Sequence, residues 1–267
     1  MRHATRDTRH ATLSMVTNLF YTDRVLNLGH RGASQAAPEN TLPAFRLAAE
    51  MGADGVELDV QLSQDGQVVI IHDFAVDKTT DGQGLVKDKT LAELKKLDAG
   101  RHFGDQFAGT PIPTLAELFM AIGPVLLYNI ELKTKSFVND GLEAEVIRLI
   151  EDFNLSDHVV LSSFNPVSLR RAYNINKNIK RGLLWSPQLP FYLRYDWAKY
   201  IARPDMAHPH WPAATPALIS RLHRQDKLVN VWTCNQPDDM RRLVSIGVDT
   251  IITDRPDLLK QVLDEAA

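Results

Sequence analysis

Two histidines and a set of carboxylates recur at the C-terminal ends of short apolar runs. "LGHRG" sets His30 and Arg31 after the first run, "GVELDV" carries Glu57 and Asp59, and "QVVIIHD" ends on His72 and Asp73. "VLLYNIELK" carries Asn129, Glu131 and Lys133, "VNVWTCN" brings Trp232 and Asn235, and "TIITD" brings Thr253 and Asp254. Glu57 and Asp59 stand two apart, so on a strand their side chains leave one face. Paired carboxylates in an apolar run repel each other and lose hydration unless a positive group lies between them. Glu131 and Lys133 repeat the same one-face spacing. Three carboxylate donors without a thiolate suit a hard divalent cation, Mg²⁺ or Ca²⁺, rather than structural zinc. The competing arrangement is a salt-bridge cluster of Glu57, Asp59 and Glu131 with Arg31 and Lys133.

His30 and His72, both at strand ends, form a candidate acid/base pair. Imidazole takes and gives protons near neutral pH, and cleaving a phosphate ester needs both actions. Arg31 with its planar fork and Lys133 as a point charge suit a phosphate. Trp232 reads either as an apolar wall for the carbon part of a substrate or as core packing. His102, His158, His208, His210 and His223 are expected on the surface or in loops, with His208 and His210 flanking Pro209 at a strand end.

Strands and helices must alternate to bring these residues together. Nine strand candidates occur: 25–29, 55–60, 67–73, 125–133, 159–164, 181–185, 205–209, 228–233 and 250–254. Most are continuous apolar runs, as in strands covered on both faces of a parallel sheet. Helical patterns lie between them, one capped at Asn40 or Thr41 and others opening with the capping boxes Thr90-x-x-Glu93 and Thr114-x-x-Glu117. Chemistry at the C-terminal ends of many strands, with no Gly-x-Gly-x-x-Gly after the first, favours a (β/α)8 TIM barrel over an open dinucleotide-binding sheet. Nine candidates compete for eight places, so one lies outside the barrel. Asp65-Gly66 marks a hairpin between the second and third; a two-residue turn there would set Asp59 opposite His72. The segment 74–123 exceeds an ordinary connection. Its part up to about residue 113 is expected to be a small subdomain inserted after the third strand, over the barrel mouth. Residues 1–23 read as an N-terminal extension, disordered or loosely docked, before a barrel domain over 24–267.

Bulk properties narrow the partners. The 267 residues are 44% hydrophobic, enough for a large core, and 30 basic against 33 acidic side chains leave a net charge of -3. That balance carries no global footprint for nucleic acid or an anionic membrane. One cysteine, Cys234, excludes an intramolecular disulfide framework and fits a reducing, cytoplasmic setting. No apolar run reaches the ~18 residues of a transmembrane segment, and Ser14, Thr17 and Asn18 interrupt the N-terminal apolar stretch that a secretory signal would need.

The segments "GHRGASQAAPENTLPAF", "GADGVELDVQLSQDGQVVIIHD", "NIELK", "SSFNP", "VWTCNQP" and "GVDTIITDRP", in that order, resemble the glycerophosphodiester phosphodiesterase family of the phosphatidylinositol-phospholipase C-like superfamily. The resemblance runs from about residue 25 to 257. It implies a TIM barrel with an insertion after the third strand, a divalent metal on Glu57, Asp59 and Glu131, and acid/base catalysis by His30 and His72. It further implies phosphate binding by Arg31 and Lys133, with Asn129 and Trp232 at the substrate. Gln35-Ala36 and Thr250 stand where relatives often carry glycine, away from every catalytic position. The implied reaction is metal-dependent hydrolysis of a glycerophosphodiester to sn-glycerol 3-phosphate and an alcohol, through a cyclic phosphate. A phospholipase D-like action on lysophospholipids, a non-catalytic phosphate-binding barrel and an unrelated metal-dependent barrel hydrolase are the alternatives.

Overall fold

A computed structural model describes residues 18–134, 137–188 and 198–266. Nine strands follow in chain order: β1 (Leu26–His30), β2 (Gly55–Leu62), β3 (Val68–Ile70), β4 (Leu127–Leu132), β5 (Val159–Ser163), β6 (Lys180–Trp185), β7 (Met206–Pro209), β8 (Leu228–Val231) and β9 (Thr250–Thr253). Eight are parallel neighbours in the order β1-β9-β8-β7-β6-β5-β4-β2, and β1 pairs with β2 to close a barrel. The ninth, β3, pairs antiparallel with β2 only. It is the strand outside the barrel.

Helices α1 (Leu42–Glu50), α3 (Leu115–Ile122), α4 (Leu142–Asp152), α5 (Pro166–Ile175), α6 (Lys199–Ala202), α7 (Pro216–His223), α8 (Pro237–Ser245) and α9 (Pro256–Ala266) connect the staves, and the short α2 (Leu91–Leu94) lies in the insertion. Local chemistry sets their starts. Thr41 caps α1 by accepting from the Ala44 N–H, and both predicted capping boxes form, Thr90 with Glu93 at α2 and Thr114 with Glu117 at α3. Because Thr41 takes the cap, Asn40 is released in a left-handed conformation (φ 57°) and turns toward β2.

The hairpin register differs from the two-residue turn. Leu62 pairs with Val68, and the Ser63 N–H bonds the Gln67 carbonyl, so Gln64, Asp65 and Gly66 form a three-residue loop with Gly66 at φ 76°. One extra loop residue shifts the pairing by one. The Ile71 N–H bonds the Asp59 carbonyl, so Ile71 rather than His72 stands opposite Asp59.

Apolar packing forms separate layers. One core lies between the strands and the helices α1, α3 and α4, a second under α7, α8 and α9. Leu26, Leu28, Val160, Met206 and Leu228 fill the lower barrel together with Phe20. Phe20, in the predicted extension, is 1% exposed, and the Asn18 amide bonds the Val159 carbonyl. Residues 18–20 are therefore docked against the barrel base, because a buried aromatic ring outweighs the entropy of ordering so short a piece. The insertion has a nucleus of its own, Val76, Val86, Leu94, Ala99 and Ile112, packed on Val69 and Ile71 of the hairpin.

Candidate active site

At the C-terminal ends of the staves is a cavity of about 140 Å³. Eight of the nine predicted site residues line it: His30, Arg31, Glu57, His72, Asn129, Glu131, Lys133 and Trp232. Asp59 lies just behind, 1% exposed. Strand register does this: parallel pairing sets His30 beside Glu57, Glu57 beside Asn129 and Asp59 beside Glu131. Same-face alternation then turns all of them inward.

Glu57, Asp59 and Glu131 each present an oxygen within 4.8 Å of the others. Two cations brace them. Lys133 Nζ lies 3.0 Å from Glu131 and 3.4 Å from Asp59. Arg31 Nε lies 3.3 Å from Asp59, while its NH1 donates to Glu39 at 2.8 Å. Arg31 itself has φ 55°, an unfavourable backbone for a side-chain residue, and the strain turns its N–H onto Glu57 Oε2 at 3.1 Å. Asn40 donates to Asp59 Oδ2 at 2.9 Å. The competing salt-bridge arrangement is thus present, and yet charge is left over. Burial, and then the charges of Asp59 and Glu131, push the Glu57 carboxyl well above the carboxylate range. Burial also raises Glu131 against the pull of Lys133. Asp59 is held low despite burial, by Lys133 and Arg31. A site that forces one of its carboxyls toward the neutral form is short of positive charge. An oxygen-only donor set of this kind fits a hard divalent cation. Asn129 adds to the fit: it is 1% exposed, and both ends of its amide lack a partner.

The two histidines are tethered alike. His30 Nδ1 lies 2.6 Å from Asp254 Oδ1, and His72 Nδ1 lies 2.6 Å from Asp73 Oδ1. A carboxylate on Nδ1 fixes the tautomer and leaves Nε2 free to exchange protons. Asp254 is itself held by Ser34 at 2.9 Å and Asn235 at 2.5 Å. These contacts keep its carboxyl low against the opposing effect of burial. Burial lowers the His72 imidazole below its ordinary value against the pull of Asp59. Asp73, Asn235 and Asp254 stand among the polar strand ends without an assigned role; the structure sets Asp73 and Asp254 on the two imidazoles and Asn235 on Asp254. Ser34, Glu39 and Asn40 were missed, and only their side-chain contacts with Asp254, Arg31 and Asp59 reveal them.

Trp232 is fixed by its indole N–H on the His208 carbonyl at 2.8 Å and packs edge-on against Phe164, ring centroids 5.5 Å apart. Half-buried, it both lines the cavity and packs against the apolar layer inside the barrel. His208 departs from expectation. It is fully buried inside the barrel, bonded to the Asn230 amide at 3.0 Å, in space left by Gly182, whose missing Cβ would sit 2.2 Å from the imidazole. His210 lies at the rim, 5.1 Å from the Trp232 ring.

The profile of the glycerophosphoryl diester phosphodiesterase family matches residues 30–258. The chain belongs to this family. A glycerophosphodiester phosphodiesterase of Caldanaerobacter subterraneus is 43% identical over 239 residues, covering 88% of this chain and 96% of that one. A solved phosphodiesterase of Oleispira antarctica, in complex with the product sn-glycerol-3-phosphate, superimposes with a TM-score of 0.80 at 32% identity, covering 90% and 96% of the two chains. A putative glycerophosphoryl diester phosphodiesterase of Silicibacter pomeroyi gives 0.82 at 26% identity, covering 92% and 95%. The family's phosphodiesterase activity is accordingly that of this barrel.

Proposed function

We propose that the cavity hydrolyses glycerophosphodiesters to sn-glycerol 3-phosphate and an alcohol such as choline or ethanolamine, with His30 and His72 as acid and base. One observation carries this: two imidazoles, each oriented through Nδ1 by a carboxylate, border a buried carboxylate triad. In the first step the glycerol 2-hydroxyl gives its proton to one histidine, and its oxygen bonds to phosphorus. The phosphorus–oxygen bond to the alcohol breaks, and the other histidine protonates that oxygen. In the second step water attacks the cyclic phosphate, the histidines exchange roles, and the ring opens to the 3-phosphate. Arg31 and Lys133 hold the non-bridging oxygens, Asn129 orients the glycerol through its unpartnered amide, and Trp232 screens the carbon skeleton from water. Mg²⁺ or Ca²⁺ on Glu57, Asp59 and Glu131 would neutralise charge developing on the phosphoryl oxygens and acidify the attacking hydroxyl.

Residues 24–267 act in this reading as one catalytic unit, with about 74–113 as its inserted subdomain. Among the described residues no helix is long and apolar enough to cross a membrane. The single cysteine, Cys234, is free and buried, which supports our reading of a reducing, cytoplasmic setting, and the small cavity supports a small-molecule substrate. A second reading, cleavage of the corresponding bond in lysophospholipids, is favoured by Phe137 and Val138, 71% and 73% exposed just beyond the mouth end of β4. The test is phosphorus NMR of glycerophosphocholine and lysophosphatidylcholine incubated with the wild-type enzyme and with His30→Ala and His72→Ala. Glycerol 3-phosphate from the first substrate, and none with either variant, is expected. Near-wild-type product from either variant would overturn the histidine assignment.

A further inference from the structure

One corner of the N-terminal end of the barrel, opposite the catalytic mouth, gathers positive charge that the chain-wide balance conceals, although Asp54, Asp157, Asp226 and Asp249 enter other strands at the same end. Four cations surround the single ring of Tyr173 on α5: Arg181 at 4.9 Å from its centroid, Arg170 and Lys177 at 5.8 Å, and Arg203 at 5.9 Å. Lys180 lies over the neighbouring Tyr21 ring at 5.8 Å. These residues come from α5, the turn into β6 and its first two residues, and the turn entering β7, so the fold and not a charge run assembles them. Asp205 answers Arg181 and Lys180. Nearby, Glu151 is taken by Asn176 and Asp152 by Arg148. Among the described residues Arg170, Lys177 and Arg203 have no ion-pair partner.

Large apolar side chains are exposed on the same corner: Ile175 at the end of α5 is 50% exposed, and Tyr200 and Ile201 on α6 are 79% and 40% exposed. Leu19, at the docked N-terminal piece, is 45% exposed.

We propose that this end of the barrel docks on an anionic membrane surface. Unpaired cations flanked by exposed aliphatic and aromatic groups match phosphate head groups above an acyl layer, and each cation near such a surface contributes about 1 kcal/mol. A long nucleic acid would use the charges and leave Ile175 and Ile201 without a role. Docked in this way, the enzyme keeps its mouth toward water, where soluble glycerophosphodiesters are.

The test is co-sedimentation of the full chain with vesicles of phosphatidylcholine alone and of phosphatidylcholine mixed with phosphatidylglycerol, at low and high salt. Binding to the mixed vesicles that weakens with salt is expected, with little on the neutral ones. Arg170→Gln together with Arg203→Gln should weaken it roughly twentyfold to thirtyfold, with turnover of a soluble substrate unchanged. Tyr200→Ser, at an exposed position, should weaken binding while preserving its salt dependence. Absence of binding to the mixed vesicles, equal binding to both kinds, or unchanged binding by the double variant would overturn the proposal. Retention by RNA without retention by vesicles would reassign the face to nucleic acid.

Discussion

Replacing Glu57 by Gln should stabilise the metal-free protein while weakening its response to metal. Glu57, Asp59 and Glu131 present oxygens within 4.8 Å of one another. At an effective dielectric of about 20, two charges at that separation repel by roughly 3.5 kcal/mol. Glu57 meets two such neighbours. Against this stand Arg31, shared with Asp59 and Glu39, and the more remote Lys133, leaving roughly 2 kcal/mol of net repulsion. Gln keeps the volume and an acceptor for the Arg31 N–H, so little else changes. At this chain length 2 kcal/mol corresponds to a rise in Tm of roughly 4 °C. The assay is thermal unfolding followed by circular dichroism, first in EDTA and then with Mg²⁺ or Ca²⁺. A cation at about a hundred times its Kd adds about 2.7 kcal/mol, so the wild-type Tm should rise by roughly 5 °C and that of the variant by much less. The folded pKa of Glu57 is raised. Its penalty is therefore absent below the free carboxylate range and grows as pH rises through the folded value. The advantage of the variant in EDTA should thus shrink on acidification. A lower Tm for Glu57→Gln in EDTA, or a wild-type Tm indifferent to cations, would refute the electrostatic reasoning.

Three further outcomes follow from the same geometry. Asp254→Ala removes a charge-assisted bond worth about 1.5–3 kcal/mol, so kcat should fall roughly 10- to 150-fold with KM nearly constant; a change in KM alone would remove Asp254 from the positioning of His30. Asp73→Ala should behave likewise through His72, and circular dichroism of both variants should match wild type. His208 is buried, with its pKa lowered to about 3; the folded state binds fewer protons than the unfolded state below pH 6.5, so stability must fall as pH falls. At about pH 5 that loss is roughly 2 kcal/mol, read as a drop in Tm of roughly 4 °C from neutral pH. His208→Leu should show a flatter dependence, and an equal slope in both proteins would contradict the burial argument.

The barrel and the convergence of the candidate residues were legible because these residues lie in or at the ends of apolar runs, and parallel strands in a closed barrel bring them to one rim. What escaped the sequence depends on contacts between distant segments. The hairpin shift came from one additional loop residue, which Asp65-Gly66 does not announce. His208 looked like a loop residue because its short strand offers little apolar context, and only Gly182 on the neighbouring strand shows why an imidazole fits inside. Asn40 carried the signature of a helix cap, yet Thr41 took that place and freed it for Asp59. The cationic corner around Tyr173 was invisible in a near-neutral composition, because Arg170, Arg181 and Arg203 belong to different elements.

The most direct measurement is release of sn-glycerol 3-phosphate from glycerophosphocholine by the purified protein, with Mg²⁺ or Ca²⁺ and again with EDTA. Release that EDTA abolishes and added cation restores is the predicted result. Full release in EDTA would contradict the role given to Glu57, Asp59 and Glu131, and no release with either metal would contradict the proposed substrate.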